Sequence, residues 1–220
     1  HELTLLVGAG EDTVLLNAFL ARDITVRAGD TVTWNPGHTD EVHTVSFLSG
    51  GPRPADVIPI EGRNPTDVQL NPQIAFPTRF PGQSVESYDG TAVVSSGVMS
   101  NQPDGPDLLP NNVMSVVMTN TGSYDYVCLL HPQMMGTVTV VADNATDVDS
   151  QADIDARASA EEAALRAQID GIRAAGAMVQ SEAGPNGTTI WHIQAGPAGL
   201  DNQLELYEFL ASELTIQEGD

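Results

Sequence analysis

The sequence has no lysine, and its single cysteine, Cys128, leaves no partner for a bridge within the chain. An intrachain disulfide framework is therefore excluded, and cysteine count alone assigns no redox compartment. Aromatic residues are scarce at 5%, and no apolar stretch approaches the roughly 20 residues a membrane-spanning helix needs, so the chain is not expected to span a membrane. Positive charge is scarcer still. All 8 basic residues are Arg, against 30 acidic residues, for a net charge of −22. That sign repels phosphate backbones and excludes nucleic acid as an expected partner. It favours a basic partner or a salty medium, although a solvated acidic surface that keeps the protein dissolved explains it as simply.

Turn formers are plentiful, with 20 Gly and 14 Pro among 220 residues. Leu3, Leu5 and Val7 alternate with other residues. Ile24-Thr25-Val26 runs into the turn Ala28-Gly29-Asp30, then Thr31-Val32-Thr33-Trp34 follows, with His43-Thr44-Val45-Ser46-Phe47 further on. Period-two alternation between turns predicts an all-β sandwich. Residues 49–112 hold 10 of the 14 prolines and show no period, which predicts a long loop-like insertion with one or two short edge strands. Its Val57, Ile58, Ile60, Ile74, Phe76 and Phe80 are too apolar to leave in water, so it is expected to lie against the domain and shelter part of one end of it. Strands resume at 113–118, 124–129 and 137–141.

Past residue 142 the composition changes. Residues 143–187 read as an acidic linker with a helix over about 153–175, whose stripe is Ile154, Ala158, Leu165, Ile169 and Ile172. Residues 188–220 return to strand character and contain a repeat. Phe19 to Asp30 aligns with Phe209 to Asp220 at six identities in twelve, as if the opening strands of the first domain began again. Such a ribbon cannot bury its own apolar face. A continuation of the chain into a second domain is the favoured completion, a neighbouring subunit in an oligomer or filament the next, and the first domain a third. The chain opens on His1 rather than Met, for which a cleaved export signal is one explanation and an imposed boundary another.

The densest chemistry lies in Cys128-Leu129-Leu130-His131-Pro132-Gln133-Met134, a Cys-x2-His-x2-Met loop between two strands, with His43 upstream. A lone cysteine is commonly a small buried hydrophobe, and zinc ordinarily takes a fourth strong ligand rather than Met. Two imidazoles, a thiolate and a weak thioether form the ligand set of electron-transfer copper, in which soft sulfur suits Cu(I) and imidazole suits both states. Met135 adjoins Met134 as a rival axial donor. His38 reads as exposed in a Pro-Gly loop, His192 lacks ligand-like neighbours, and His1 invites comparison with an amino-terminal histidine brace that nothing else supports.

This segment, with its Tyr124-Asp125-Tyr126 lead-in and Gly136-Thr137-Val138 exit, resembles the copper loop of the cupredoxin (blue-copper) family. The spacing is closer to amicyanin than to plastocyanin or pseudoazurin. The resemblance covers about residues 1–142 apart from the insertion, and Asp40 to Val45 resembles the family's first-histidine segment, with Thr44 where many members have Asn. It implies a Greek-key cupredoxin sandwich holding one type 1 copper through His43, Cys128 and His131, with Met134 axial. It also implies single-electron carriage through His131 to a redox partner, docked by a basic surface, in an exported setting: periplasmic, cell-surface or extracellular. An enzyme is not expected. Related oxidases and nitrite reductases need His-x-His pairs and a His beside the Cys, whereas Val127 and Leu129 flank Cys128 here and no His-x-His occurs. Two alternatives stand beside the carrier. One is a structural or assembly protein built from cupredoxin units, homo-oligomeric or filamentous through residues 143–220. The other is a donor module of a longer multidomain copper protein.

Overall fold

Alternating Leu3, Leu5 and Val7 turn inward along β1 (Glu2–Glu11), and the remaining strands follow the same rule where one face meets solvent. The computed structural model describes residues 1–37, 41–78, 86–101, 113–176, 179–196, 203–210 and 213–218. After β1 come β2 (Val14–Leu20), β3 (Asp23–Arg27), β4 (Thr31–Pro36) and β5 (Ser46–Phe47). The insertion supplies β6 (Val57–Pro59), β7 (Val68–Leu70), a helical turn α1 (Pro72–Ala75), β8 (Glu86–Tyr88) and β9 (Val94–Ser95). Then follow β10 (Met114–Met118), β11 (Gly122–Val127), β12 (Met135–Val141) and the long helix α2 (Gln151–Gly176). The tail holds β13 (Gln180–Ala183), β14 (Thr189–His192), β15 (Gln194–Ala195), β16 (Leu204–Leu206) and β17 (Phe209–Leu210).

The all-β expectation holds. One sheet runs β16-β2-β1-β4-β10-β8 and the other β3-β12-β11-β5-β9. Their inner faces share one core, in which Trp34 and Tyr126 meet edge to face at 5.1 Å between ring centres and Phe19 lies 4.6 Å from Tyr126. Close approach at the start of β12 needs Gly136, because a Cβ there would sit 2.2 Å from the Arg22 carbonyl oxygen and 2.6 Å from the Tyr126 ring. The Tyr126 hydroxyl donates to that same carbonyl at 2.9 Å, tying β11 to the turn before β3.

β2 is buried on both faces, which is why Val14-Leu15-Leu16-Asn17-Ala18-Phe19-Leu20 reads as an unbroken run instead of alternating. Phe19 enters the sandwich core, while Val14, Leu16, Ala18 and Leu20 form a second core with Ile169, Leu204, Leu206 and Leu210. α2 covers that outer face. Its start is a reciprocal cap: the Asp153 carboxylate accepts the Ser150 N–H at 3.0 Å, and Ser150 Oγ accepts the Asp153 N–H at 3.3 Å. Ile154 and Ile169 of the expected stripe are fully buried, with Ala158, Leu165 and Ile172 partly so. Arg157 fixes the helix to the sandwich by donating to both oxygens of Asp149, at 2.8 and 2.7 Å, and Asp149 in turn accepts the Thr25 N–H at 2.6 Å.

Of the three completions open to the tail, the first domain supplies one for part of it: β16 pairs antiparallel with β2, Leu204 opposite Leu16 and Leu206 opposite Val14. The reason is the free edge of β2 and the apolar surface beside it, which Leu204 and Leu206 cover. Within the repeat the cover is partial: Leu210 joins the second core. Phe209 and Ile216 are 70% and 56% exposed, whereas their counterparts Phe19 and Val26 are 1% and 0% exposed.

The insertion is more structured than one or two edge strands. β6 and β7 form a separate two-stranded ribbon, β8 joins the first sheet beside β10, and β9 joins the second beside β5. Of its apolar residues only Ile74 among those expected is fully buried; Val57 and Phe76 are about half exposed, and Phe80 lies outside the described residues. Tyr88, Val94 and Met99 supply the insertion's share of the main core instead.

Candidate metal centre

His43 does not sit in a long strand. It makes an isolated antiparallel bridge with Met99, donating its N–H to Met99 O at 3.0 Å and accepting the Met99 N–H at 2.7 Å. Two residues on, the Val45 N–H donates to Ser96 Oγ at 2.8 Å, and Ser96 N–H returns to Val45 O at 2.9 Å. The segment that carries the upstream imidazole is thus aligned by the insertion.

The other donors come from the turn joining β11 to β12. The Cys128 N–H donates to Met134 O at 2.8 Å and the Met134 N–H to His131 O at 3.0 Å, which folds the loop back on itself. Thr44 joins the two segments. Its N–H donates to Cys128 Sγ at 3.3 Å, and its hydroxyl oxygen accepts the Leu129 N–H at 2.7 Å. Threonine therefore serves a bonding role between the two histidine-bearing segments.

His43, Cys128 and His131 come together with their donor atoms all within 4.8 Å of one another. The two imidazole Nδ1 atoms are 3.1 Å apart, and Cys128 Sγ lies 3.5 Å from His131 Nδ1. Metal bonds of about 2.0 Å to nitrogen and about 2.3 Å to sulfur, opened to about 110°, place such atoms about 3.3 and about 3.5 Å apart. The cluster therefore has the dimensions a first-row ion imposes on two nitrogens and a sulfur. His43 and Cys128 are buried, and His131 is partly exposed. Met134 is fully buried in the core that contains Cys128, while Met135 is 43% exposed. His43 Nε2 is buried and has no hydrogen-bond partner among the described residues.

Electrostatics favour a thiolate. Burial pushes the Cys128 thiol up, but hydrogen bonds and charge from His131 and His43 outweigh it and bring the pKa down to about 5. Burial pulls His131 down; Cys128 foremost, then Glu41 and Glu205, outweigh that and raise it above the ordinary imidazole value. A thiolate beside imidazolium also describes a cysteine nucleophile. Here, however, Cys128 is 0% exposed, whereas reactive thiols ordinarily sit partly open to solvent.

Of the other histidines, His1 is engaged elsewhere, its amino group paired with Asp30 at 2.7 Å. His192 pairs with Glu182 on the β13–β14 ribbon, and His38 lies outside the described residues. Two residues at the site had no motif to announce them. Met99 bridges His43 from the insertion. Arg53 donates to the carbonyls of Cys128 and Leu129. Among the described residues, no helix is long and apolar enough to cross a membrane.

No protein-family model matches the sequence, and no curated protein does. Solved structures of amicyanin variants overlap it. A methionine-to-alanine mutant in its Cu(I) form has 20% identity and a TM-score of 0.36, covering 64% of this chain and 82% of its own. The oxidized state of a proline-to-alanine mutant has 19% identity and a TM-score of 0.36 over the same shares. An overlap this loose carries no argument about function, which rests on the cluster itself.

Proposed function

We propose that this chain is a type 1 copper protein that carries single electrons between redox partners, with one copper per chain. His43, Cys128 and His131 would hold the ion, with Met134 as the weak axial donor. The observation that carries this reading is the convergence of two imidazole Nδ1 atoms and the Cys128 sulfur at metal-like separations within a buried setting. A copper ion in such a donor set supplies a one-electron couple. The chain's own residues account for the rest. Cys128 enters as a thiolate, Thr44 donates a hydrogen bond to its sulfur, and the core excludes water. His131 is the one member of the cluster that reaches the surface, between Leu130 and exposed Pro132, and offers the path out.

The excess of acidic residues would steer a partner with a basic docking surface. An exported location, periplasmic, cell-surface or extracellular, belongs to the same reading, as does the absence of an enzymatic reaction. Zinc is the chemical rival, because two imidazoles and a thiolate also suit it. Voltammetry of the copper-loaded chain separates them. One reversible one-electron wave per chain is expected; a protein that takes up zinc but yields no copper wave contradicts the proposal.

A second reading, assembly of cupredoxin units through the tail, is favoured by the exposure of Phe209 and Ile216, whose counterparts in the first domain are buried. Sedimentation distinguishes it. Assembly predicts particles larger than the 23.2 kDa chain that shrink on Phe209→Ser, whereas a monomer at all concentrations opposes it.

A further inference from the structure

β11 ends at Val127, so the next two carbonyls, of Cys128 and Leu129, have no sheet neighbour to supply an N–H. Both residues are buried, at 0% and 1% exposure, and buried carbonyls need donors. Arg53 provides them from 75 residues earlier in the insertion. Its Nη1 donates to Cys128 O at 3.0 Å, and Nη2 donates to Leu129 O. The Arg53 side chain is 29% exposed, and its ion pair with Asp56 is long at 3.9 Å. A rigid guanidinium fork presents two N–H groups already set to meet two successive carbonyls, whereas an ammonium on a flexible stem has no such fixed geometry. The same peptide groups begin the loop that presents Cys128 and His131.

We infer that Arg53 is a positioning residue for the metal loop. Its two-point grip on the carbonyls of Cys128 and Leu129 fixes the turn that presents the thiolate and His131, and its charge favours the reduced state of the centre. The first half concerns the chain alone. The second rests on the copper reading above. Reduction adds negative charge to the site, and a cation held against the backbone of the thiolate residue stabilises that state more than the oxidised one.

The experiment compares the full chain with Arg53→Lys and Arg53→Gln. In the metal-free protein, amide exchange is read at Cys128, Leu129 and Met134, whose N–H groups are all bonded within or to the loop. Both variants should speed these amides about tenfold while amides in β1 keep their rates. In the copper-loaded protein, Arg53→Gln should lower the preference for Cu(I) over Cu(II) about fivefold, about 40 mV at 59 mV per tenfold. Arg53→Lys, which keeps the charge, should shift it less than about twofold. Unchanged loop exchange in both variants overturns the grip. Equal potential shifts in both variants, or none in either, overturn the charge effect. If the wild type takes no copper, the copper reading fails and the charge half falls with it, while the exchange data still decide the grip. Should Arg53→Gln fail to fold, Arg53→Lys decides alone: loop exchange at the wild-type rate overturns the grip, and a shift as large as about fivefold overturns the charge effect.

Discussion

Replacing Thr44 with valine removes one hydroxyl from a site with no exposure and leaves a side chain of almost the same shape. The consequence follows from what that hydroxyl does: it accepts the Leu129 N–H at 2.7 Å, joining the segment of His43 to the loop of Cys128. Valine accepts nothing, so the Leu129 N–H is left buried and unpaired, at a cost of about 1–3 kcal/mol. Thr44→Ser is the control. It keeps the acceptor and loses one buried methyl, for which about 0.5–1.5 kcal/mol is the usual range. The expected order of stability in the metal-free protein is therefore wild type, then serine, then valine. In a chain of this size a loss of 2 kcal/mol lowers the melting temperature by roughly 4–8 °C. Urea unfolding gives the difference directly, with the slope unchanged if the native state stays intact. Copper release to a chelator should quicken in the same order. A valine variant as stable as wild type, with the serine variant below both, would falsify the hydrogen-bond account and assign the site's importance to its methyl.

Met134→Leu should keep the thiolate-to-copper colour and raise the reduction potential, because a lost axial donor disfavours Cu(II); Met135→Leu, at a half-exposed position, should do much less, and redox titration of both would show a reversal if Met135 were the donor. Leu206→Ala should cost about 2–3 kcal/mol in chemical unfolding, since Leu206 is 4% exposed in the second core; a loss below about 0.5 kcal/mol would mean that β16 is not docked on β2. Ser150→Ala should cost about 1 kcal/mol through the lost cap. That penalty should shrink in acid. Hydrogen bonds from Ser150 hold the Asp153 carboxyl below its ordinary value, so the carboxylate's share of the cap is complete above the unfolded pKa and lost as pH falls through the folded one, while the bond from the Asp153 N–H to Ser150 Oγ persists. A cost independent of pH from neutral to strongly acidic would refute the carboxylate's share.

Legibility in the sequence followed the length over which a pattern persisted. β1 and β4 alternate long enough to show their inward faces, and α2 carries its stripe from Ile154 to Ile172 through several turns. Cys128 and His131, two members of the cluster, were readable together because they are neighbours in sequence. β2 lost its alternation by being buried on both faces. The run from His43 to Phe47 reads as a strand, yet only Ser46–Phe47 is one; His43 is aligned by its bridge to Met99, a distant partner no local period announces. Met99 and Arg53 reach the site only through the fold, from a proline-rich stretch whose local signals all read as turns. In the tail, strand character over residues 188–220 showed an apolar face in need of cover, but which surface covers it depends on the free edge of β2, which Leu204 and Leu206 meet and no local pattern announces.

The most direct test of the copper site is the optical spectrum of the oxidised, copper-loaded protein beside that of Cys128→Ser. With His43, Cys128 and His131 binding one ion, the wild type should show an intense thiolate-to-copper charge-transfer band that saturates at one copper per chain, and the serine variant should be colourless. A band that survives Cys128→Ser, or copper that binds without producing one, would contradict the site.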